Sequence, residues 1–181
     1  MAYEGKMKYF ILTNGDKNPF PKIINWSQTI DVRKLTRDEY QKMPPFIQFN
    51  AKLGMDGIFP DIIDKPFFLL SREAMEVTAL YDLNIPFLFF VLFDTEKGEC
   101  ASYYCPVLEE EACLVKQPGP GQREIILDRE KFSGAPLFRV RTGTESTVVI
   151  RMDLAESLLE RGVIGMKLKE VSLSDGSILK Y

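Results

Sequence analysis

A run of nine apolar residues, 85–93 (IPFLFFVLF), constrains the fold of this chain more than any other segment. A membrane-spanning helix needs roughly 20 apolar residues, so the run is too short to cross a bilayer as a helix. A strand that is apolar on both faces lies at the centre of a sheet or is covered on both sides. The run therefore predicts a central strand with a sheet built around it.

The segments on either side of the run predict a helix before it and a strand after it. Ser71 is a good N-cap for a helix over residues 72–83, and Asn84 and Pro86 end that helix. The predicted apolar face of this helix is Ala74, Val77, Leu80 and Tyr81. The polar turn at 94–98 then leads into an antiparallel return strand over residues 101–108.

The first third of the chain gives weaker signals. We predict a strand at 7–12, a long polar loop at 13–36 that contains Trp26, and a short strand at 46–50. Thr36 is a plausible N-cap for a short helix that ends before Pro44, because a residue that precedes proline disfavours the helical conformation.

The last third predicts three strands, a helix and a final strand. The strands are predicted at 123–127, 137–141, 147–151 and 166–173, with a tail at 174–181. Asp153 and Glu156 form a predicted capping box at the start of the helix, and Gly162 suits the position just after its end. The predicted apolar face of this helix is Leu154, Leu158 and Leu159.

The order of these elements argues against a doubly wound parallel sheet, because strands and helices do not alternate regularly. The sequence predicts one domain over residues 1–181 with an α+β fold: a mixed, largely antiparallel sheet with a few packed helices.

The composition excludes several classes of function. The chain holds no histidine, which removes the commonest general base and the commonest metal ligand and excludes Ser–His–Asp and Cys–His catalysis. We therefore expect no metal and no cofactor. The formal net charge is −3 and no basic patch is visible, so nucleic acid is not an expected partner.

The cysteines and the N-terminus indicate a cytoplasmic protein. Cys100, Cys105 and Cys113 lie close together, but their spacing is not that of a CxxC motif, so we expect free thiols. The first residues lack the apolar core of a signal peptide, and we expect no membrane association.

The order of elements resembles immunity protein family eleven of bacterial polymorphic toxin systems. The resemblance covers roughly residues 8–172. It is carried by DIID at 61–64, the helix after Ser71, the long apolar strand, the strand with Tyr103 and Tyr104, IILDREKFSGAPLFRV at 125–140, and GVIGMKLKEV at 162–171. The strongest matches are Leu127-Asp128, Leu137-Phe138-Arg139 and the turn centred on Gly165.

One departure from the family pattern concerns the last helix. The family commonly opens this helix with a serine directly after the Val-Val strand, whereas here Arg151 and Met152 intervene and Asp153 takes the capping role. The resemblance implies a protein that is not an enzyme and that binds and neutralises a co-encoded toxin domain. It supplies no catalytic residues and does not identify the toxin.

The acidic loop Glu109-Glu110-Glu111, with Asp94 and Glu96 in the neighbouring turn, is the first candidate for a partner-binding surface. Carboxylates of this kind complement the basic site of a toxin that acts on nucleic acid. The alternative is an ordinary solvated acidic loop.

Two aromatic residues are further candidates for contact with a partner. Trp26, in a polar loop, is either an interface anchor or a side chain folded onto the core. Tyr103 and Tyr104 point to opposite faces of their strand, so one of them can be exposed, and the alternative is ordinary sheet packing.

Two other classes of function stay open. A small-molecule-sensing or regulatory domain would have a concave, aromatic-lined cleft with a few converging polar groups. An enzyme that uses only carboxylates, tyrosine or lysine would gather groups with perturbed pKa values in a cleft, and Asp61 with Asp64 is the pair to inspect.

Overall fold

A computed structural model of the chain describes residues 7–14, 20–54, 57–115 and 124–174. Residues 175–181 of the predicted tail lie outside the described residues. The strands are β1 (Tyr9–Thr13), β2 (Lys22–Ile23), β3 (Phe46–Lys52), β4 (Ile62–Ile63), β5 (Leu69–Leu70), β6 (Phe87–Asp94), β7 (Glu99–Pro106), β8 (Ile126–Asp128), β9 (Leu137–Thr142), β10 (Glu145–Arg151), β11 (Lys167–Glu170) and β12 (Ser172–Ser174). The α-helices are α1 (Trp26–Thr29), α2 (Arg72–Tyr81) and α3 (Met152–Glu160).

The strands form a six-stranded sheet, a four-stranded sheet and a separate pair. The orders are β2-β3-β6-β7-β5-β4, β11-β1-β10-β9 and β12-β8. The β3–β6 and β12–β8 pairs are parallel and the other pairs are antiparallel. The predicted α+β fold with a mixed, largely antiparallel sheet is confirmed.

The apolar run forms β6, which lies at the centre of the six-stranded sheet as predicted. It pairs along its length with the antiparallel return strand β7. Its side chains alternate between buried and half-buried positions, so only one of its two faces is fully covered. Of the two alternatives that its sequence allowed, the central position is therefore the one that β6 adopts.

Helix α2 begins where the N-cap predicts, because the Ser71 hydroxyl accepts a hydrogen bond from the Ala74 backbone N–H at 3.3 Å. Ala74 and Val77 are buried as predicted. Leu80 is instead 73% exposed, so its assignment to the apolar face is wrong. Tyr81, also assigned to that face, is half-buried, and its hydroxyl bonds to Ser157 of α3 at 2.6 Å.

Helix α3 begins at Met152, two residues earlier than the predicted cap at Asp153 allows. Arg151 occupies the N-cap position and makes no side-chain cap bond, while Asp153 lies inside the first turn. The Asp153 carboxylate is held by the Arg151 guanidinium at 2.8 Å, so the predicted capping box is wrong. Leu159, predicted on the apolar face, is 53% exposed.

The end of α3 follows the prediction. Gly162 adopts a left-handed φ of 72°, which glycine tolerates without a Cβ clash. Its N–H donates to the Leu159 carbonyl, and the Val163 N–H donates to the Leu158 carbonyl. This pair of bonds is the Schellman motif that the glycine predicts.

Three apolar clusters hold the layers together. The first lies among α2, α3, β4, β5 and the inner face of the four-stranded sheet. The second joins the other face of the six-stranded sheet to the segment 23–35. The third joins the outer face of the four-stranded sheet to β8, to β12 and to the segment that connects β8 with β9.

Two regions differ from their predicted elements. The loop predicted at 13–36 contains β2 and α1, and the helix predicted after Thr36 is a 3₁₀ turn at Tyr40–Lys42. The final strand is divided into β11 and β12, because Val171 is buried between them and its N–H donates to the Tyr9 carbonyl. Ser174, predicted as the first residue of the tail, is instead the last residue of β12.

In the described part of the chain, no helix is long and apolar enough to cross a membrane.

Candidate functional site

One face of the six-stranded sheet is only half-buried, and no complete layer covers it in the described part of the chain. The register places Phe46 beside Phe89, and Phe89 beside Tyr104. Directly opposed residues in a sheet point to the same side, so these rings share one face. We call this surface the aromatic face; it consists of Phe46, Phe89, Val91, Phe93 and Tyr104.

The aromatic face is only half-buried because α2 and α3 reach only one end of the sheet. Leu70 on β5 and Ile62 on β4 belong to the same side of the sheet and are buried in the cluster around α2 and α3. The five members of the aromatic face belong to none of the three buried clusters. Phe46 is the most open of them, at 57% exposure.

The aromatic face is ordered by its own contacts. The Phe89 and Tyr104 rings pack at a centroid distance of 5.4 Å and an interplanar angle of 55°. This geometry is one that aromatic pairs favour. The face therefore presents a fixed arrangement of rings to solvent.

The electrostatics of the aromatic face are those of an uncharged surface with a charged border. The side chains that share its side of β3 and β7 are polar and neutral: Gln48, Asn50, Ser102 and Cys100. At the border, Lys52 pairs with Glu96 at 2.6 Å. An apolar patch with a polar rim is typical of a protein-binding surface.

The predicted acidic loop lies at the edge of the four-stranded sheet, and each of its carboxylates has a partner inside the molecule. Glu109 lies 3.3 Å from the Arg37 guanidinium. Glu110 accepts two hydrogen bonds from Arg141, at 2.9 and 2.7 Å. Glu111 accepts from the backbone N–H and the hydroxyl of Ser133. The loop presents less uncompensated negative charge than its sequence suggests.

A shallow groove of about 320 Å³ follows the acidic loop. Its lining consists of Glu110, Glu111, Ala112, Leu114, Val140 and Arg141. It combines an apolar floor with an acid–base rim and is the concave feature that a small molecule would use.

Asp94 and Glu96 do not join the acidic loop. Asp94 pairs with Glu99 at one end of the β6–β7 ladder, whereas Glu109 follows the other end, where Phe87 pairs with Pro106. Seven residue steps along a strand separate these ends by about 23 Å. The prediction that the two acidic segments are neighbours is therefore wrong.

Asp94 is a structural residue, because it is 1% exposed. Its carboxylate accepts hydrogen bonds from the backbone N–H groups of Leu53, Glu96 and Lys97, at 2.8, 2.9 and 3.1 Å. The bonds from Leu53 and Lys97 hold the pKa of Asp94 below its usual value. Asp94 therefore fixes the turn and cannot contact a partner, while Glu96 stays exposed beside Lys52.

Tyr103 and Trp26 also pack into the molecule. Tyr103 is 1% exposed, and its hydroxyl donates to the Pro60 carbonyl at 2.6 Å. Burial raises the pKa of Tyr103 above its usual value. Trp26 is half-buried, with its ring edge-on to Phe67 at 5.6 Å. The prediction that Tyr103 contacts a partner is therefore wrong. Of the two alternatives for Trp26, the structure shows the side chain folded onto the core.

The carboxylate pair Asp61 and Asp64 has structural bonds. Asp61 accepts from the Ile164 N–H at 2.8 Å, and Asp64 accepts from the Asn14 N–H at 3.1 Å. Burial raises the pKa of Cys105 and of Cys113 to about 11, which disfavours their reactive thiolate forms. Within the described ranges, no group of three or more His, Cys, Asp or Glu residues could hold a metal ion.

Sequence reasoning missed the aromatic face although its signal was present. The run at 85–93 is apolar at every position of both faces, and such a strand needs two covering layers. The residues that the structure describes supply a complete covering layer on one side only, which local patterns do not reveal.

Comparison with known proteins adds no relative: neither a family model nor a curated protein matches this sequence.

Proposed function

We propose that this chain is an immunity-type binding protein that acts in the cytoplasm and inactivates a bacterial toxin domain by forming a stoichiometric complex with it, without being an enzyme. The observation that carries the proposal is the aromatic face, where Phe46 is exposed and three further rings and a valine are half-buried outside the three core clusters. The resemblance to immunity protein family eleven supports the same function.

The shape of the aromatic face favours a protein as the partner. Aromatic side chains on a sheet give a broad contact surface, whereas a small molecule needs a concave site. A stable complex buries about 800 Å² on each partner, so it would extend over the Lys52–Glu96 border. The acidic loop is a secondary contact at most, because its carboxylates already have partners in the molecule.

The test is co-expression with the C-terminal domain encoded by the neighbouring reading frame. We expect the wild-type chain to restore growth and to co-purify with that domain as a one-to-one complex. Phe46→Glu places a charge in the aromatic face and is expected to abolish both results. Leu83→Glu is the matched control, because Leu83 is 85% exposed and lies outside the face.

Two results would contradict the proposal. If the wild-type chain neither rescues growth nor binds the toxic domain, the function assigned to this pair is wrong. If Phe46→Glu rescues as well as Leu83→Glu does, and both variants melt like the wild type, the partner binds elsewhere.

The groove beside the acidic loop favours one alternative function, the sensing of a small molecule. Ala112 is exposed in its lining, so Ala112→Trp fills the groove from the solvent side. A compound that raises the melting temperature of the wild-type chain but not of Ala112→Trp would support this alternative.

A further inference from the structure

The outer edge of β3 is an open sheet edge in the described chain. The Asn50 carbonyl accepts a hydrogen bond from the Ile24 N–H, so the backbone of Asn50 faces outward, towards β2. Successive residues of a strand present their backbone groups to opposite sides, so Gln48 and Phe46 also face outward. No backbone group in the described ranges bonds to the N–H or carbonyl of Gln48 on this side.

The edge is open because β2 leaves it after two residues. Asn25 adopts a left-handed φ of 54°, and α1 begins at Trp26. Asparagine tolerates this conformation better than most residues, so it turns the chain away from β3 at this position. The paired edge therefore ends at Ile24, and the edge from Phe46 to Phe49 continues without a neighbouring strand.

A polar groove of about 300 Å³ follows this open edge. Its lining consists of Ile24, Asn25, Thr29, Gln48, Phe49 and Asn50. Helix α1 forms one wall and β3 forms the other. The open edge of β3, which borders this groove, also adjoins the aromatic face, because Phe46 belongs to both the edge and that face.

We propose that an extended segment of the partner protein pairs with the outer edge of β3 at Phe46 and Gln48 and adds a strand to the six-stranded sheet. This inference rests on the proposed function and specifies how the partner is held. The outward N–H and carbonyl groups repeat at every second residue, and an extended backbone presents acceptors and donors at the same spacing. The neighbouring Phe46 ring would then pack against an apolar side chain of the added segment.

The wall formed by α1 distinguishes this occupant from a second copy of the chain. Pairing of two β3 edges would bring a whole folded sheet against Asn25 and Thr29, which border the edge. A single extended segment needs only the width of one strand, about 4.8 Å in the hydrogen-bonding direction.

The test uses Gln48→Pro with Gln48→Thr as its matched control. Proline removes the outward N–H of residue 48 and fills its space, and edge strands accept proline when this N–H faces away from the sheet. The β3–β6 ladder uses Ile47 and Phe49, so it stays intact, and thermal melting of both variants checks this. Threonine changes the side chain and keeps the backbone donor.

In the co-expression assay we expect Gln48→Pro to weaken binding of the toxic domain by about tenfold or more, and Gln48→Thr to bind like the wild type. Equal binding by both variants would overturn the inference while the proposed function stands. A dimer of the wild-type chain in sedimentation that Gln48→Pro dissociates would assign the edge to a second copy and also overturn it.

A second probe decides the inference if the wild-type chain does not bind the neighbouring domain, in which case the proposed function has failed separately. Short random peptides displayed on phage are selected on the full chain. Peptides that bind the wild type and Gln48→Thr but not Gln48→Pro, and that lose binding when alternate backbone nitrogens are methylated, support strand addition. The inference is overturned if every recovered peptide binds Gln48→Pro as well as it binds the wild type, or if no peptide is recovered.

Discussion

The two faces of the six-stranded sheet are built from similar side chains and have different surroundings. On the buried face, β6 places Phe90 and Leu92 beside Tyr103 and Ala101 of β7. On the aromatic face, the same strand places Phe89 beside Tyr104. The segment 23–35 covers the first face, while α2 covers only the β4–β5 end of the second.

The composition of a strand therefore predicts that an apolar face packs against another layer, but it does not predict which segment or partner supplies that layer. Both faces of β6 are apolar in sequence, so one strand serves the core and a surface at the same time. The half-buried face keeps its apolar character, which is expected of a surface that binds a partner.

The largest contrast is expected between Phe90→Ala and Phe89→Ala. Phe90 is fully buried and its ring contacts those of Phe49 and Phe67, so its loss leaves a cavity and is expected to cost about 3–5 kcal/mol. Phe89 is half-buried, and its loss is expected to cost about 1 kcal/mol or less. Urea unfolding measures both values. Equal losses would mean that the aromatic face is covered in solution.

Cysteine alkylation is the next contrast, because Cys100 and Cys105 lie on opposite faces of the sheet. Cys100 is exposed beside Phe93, whereas Cys105 is fully buried and its pKa is raised to about 11. We expect iodoacetamide at about pH 8 to modify Cys100 at least ~100-fold faster than Cys105, as read by mass spectrometry of tryptic peptides. Cys100→Ser is the control and should leave no fast site, while urea should expose all three thiols.

The parts of the fold that could be predicted are those that depend on a few neighbouring residues in the sequence. Local signals were reliable: Ser71 caps α2, Gly162 ends α3, and the apolar run forms the central strand. The Asp153 cap failed because Arg151, two residues earlier, forms an ion pair with the same carboxylate, and side-chain partners are not visible in a capping pattern.

The candidate site was harder to predict because it depends on which surfaces remain uncovered. Glu110 looked free in sequence, but Arg141, 31 residues later, pairs with it in space. Tyr103 and Tyr104 are adjacent and chemically identical, so only the layer that packs on each face decides which is exposed. The sequence predicted that the two side chains point to opposite faces of the strand, but it did not predict which face is buried.

Removal of the hydroxyl groups of Tyr103 and Tyr104 is expected to give a smaller difference in the free energy of unfolding. Tyr103→Phe leaves the buried Pro60 carbonyl without its donor and is expected to cost about 1–3 kcal/mol. Tyr104→Phe keeps the ring beside Phe89 and is expected to change stability by about 0.5 kcal/mol or less. Urea unfolding of the two variants measures the difference. A loss in Tyr104→Phe as large as that in Tyr103→Phe would show that both rings belong to the core.

The smallest contrast is expected at the β6–β7 turn, between buried Asp94 and exposed Glu96. Asp94→Asn is expected to lower the urea midpoint at neutral pH, by less than Tyr103→Phe does, because the amide oxygen still accepts from the Leu53 N–H. The folded-state pKa of Asp94 is depressed, so its carboxylate stabilises the fold above the unfolded pKa of about 3.9. That contribution is lost as the pH falls through the folded pKa.

The difference in stability between the wild type and Asp94→Asn should therefore narrow when unfolding is measured from about pH 7 down to about pH 3. Glu96→Gln is the matched control, since it removes a charge from the same turn at an exposed ion pair with Lys52 and should leave the pH profile close to that of the wild type. A constant difference for Asp94→Asn would show that the hydrogen bonds to Leu53, Glu96 and Lys97 do not depend on the carboxylate charge. The charge of the buried Asp94 would then contribute as little to the stability of the turn as the charge of the exposed Glu96.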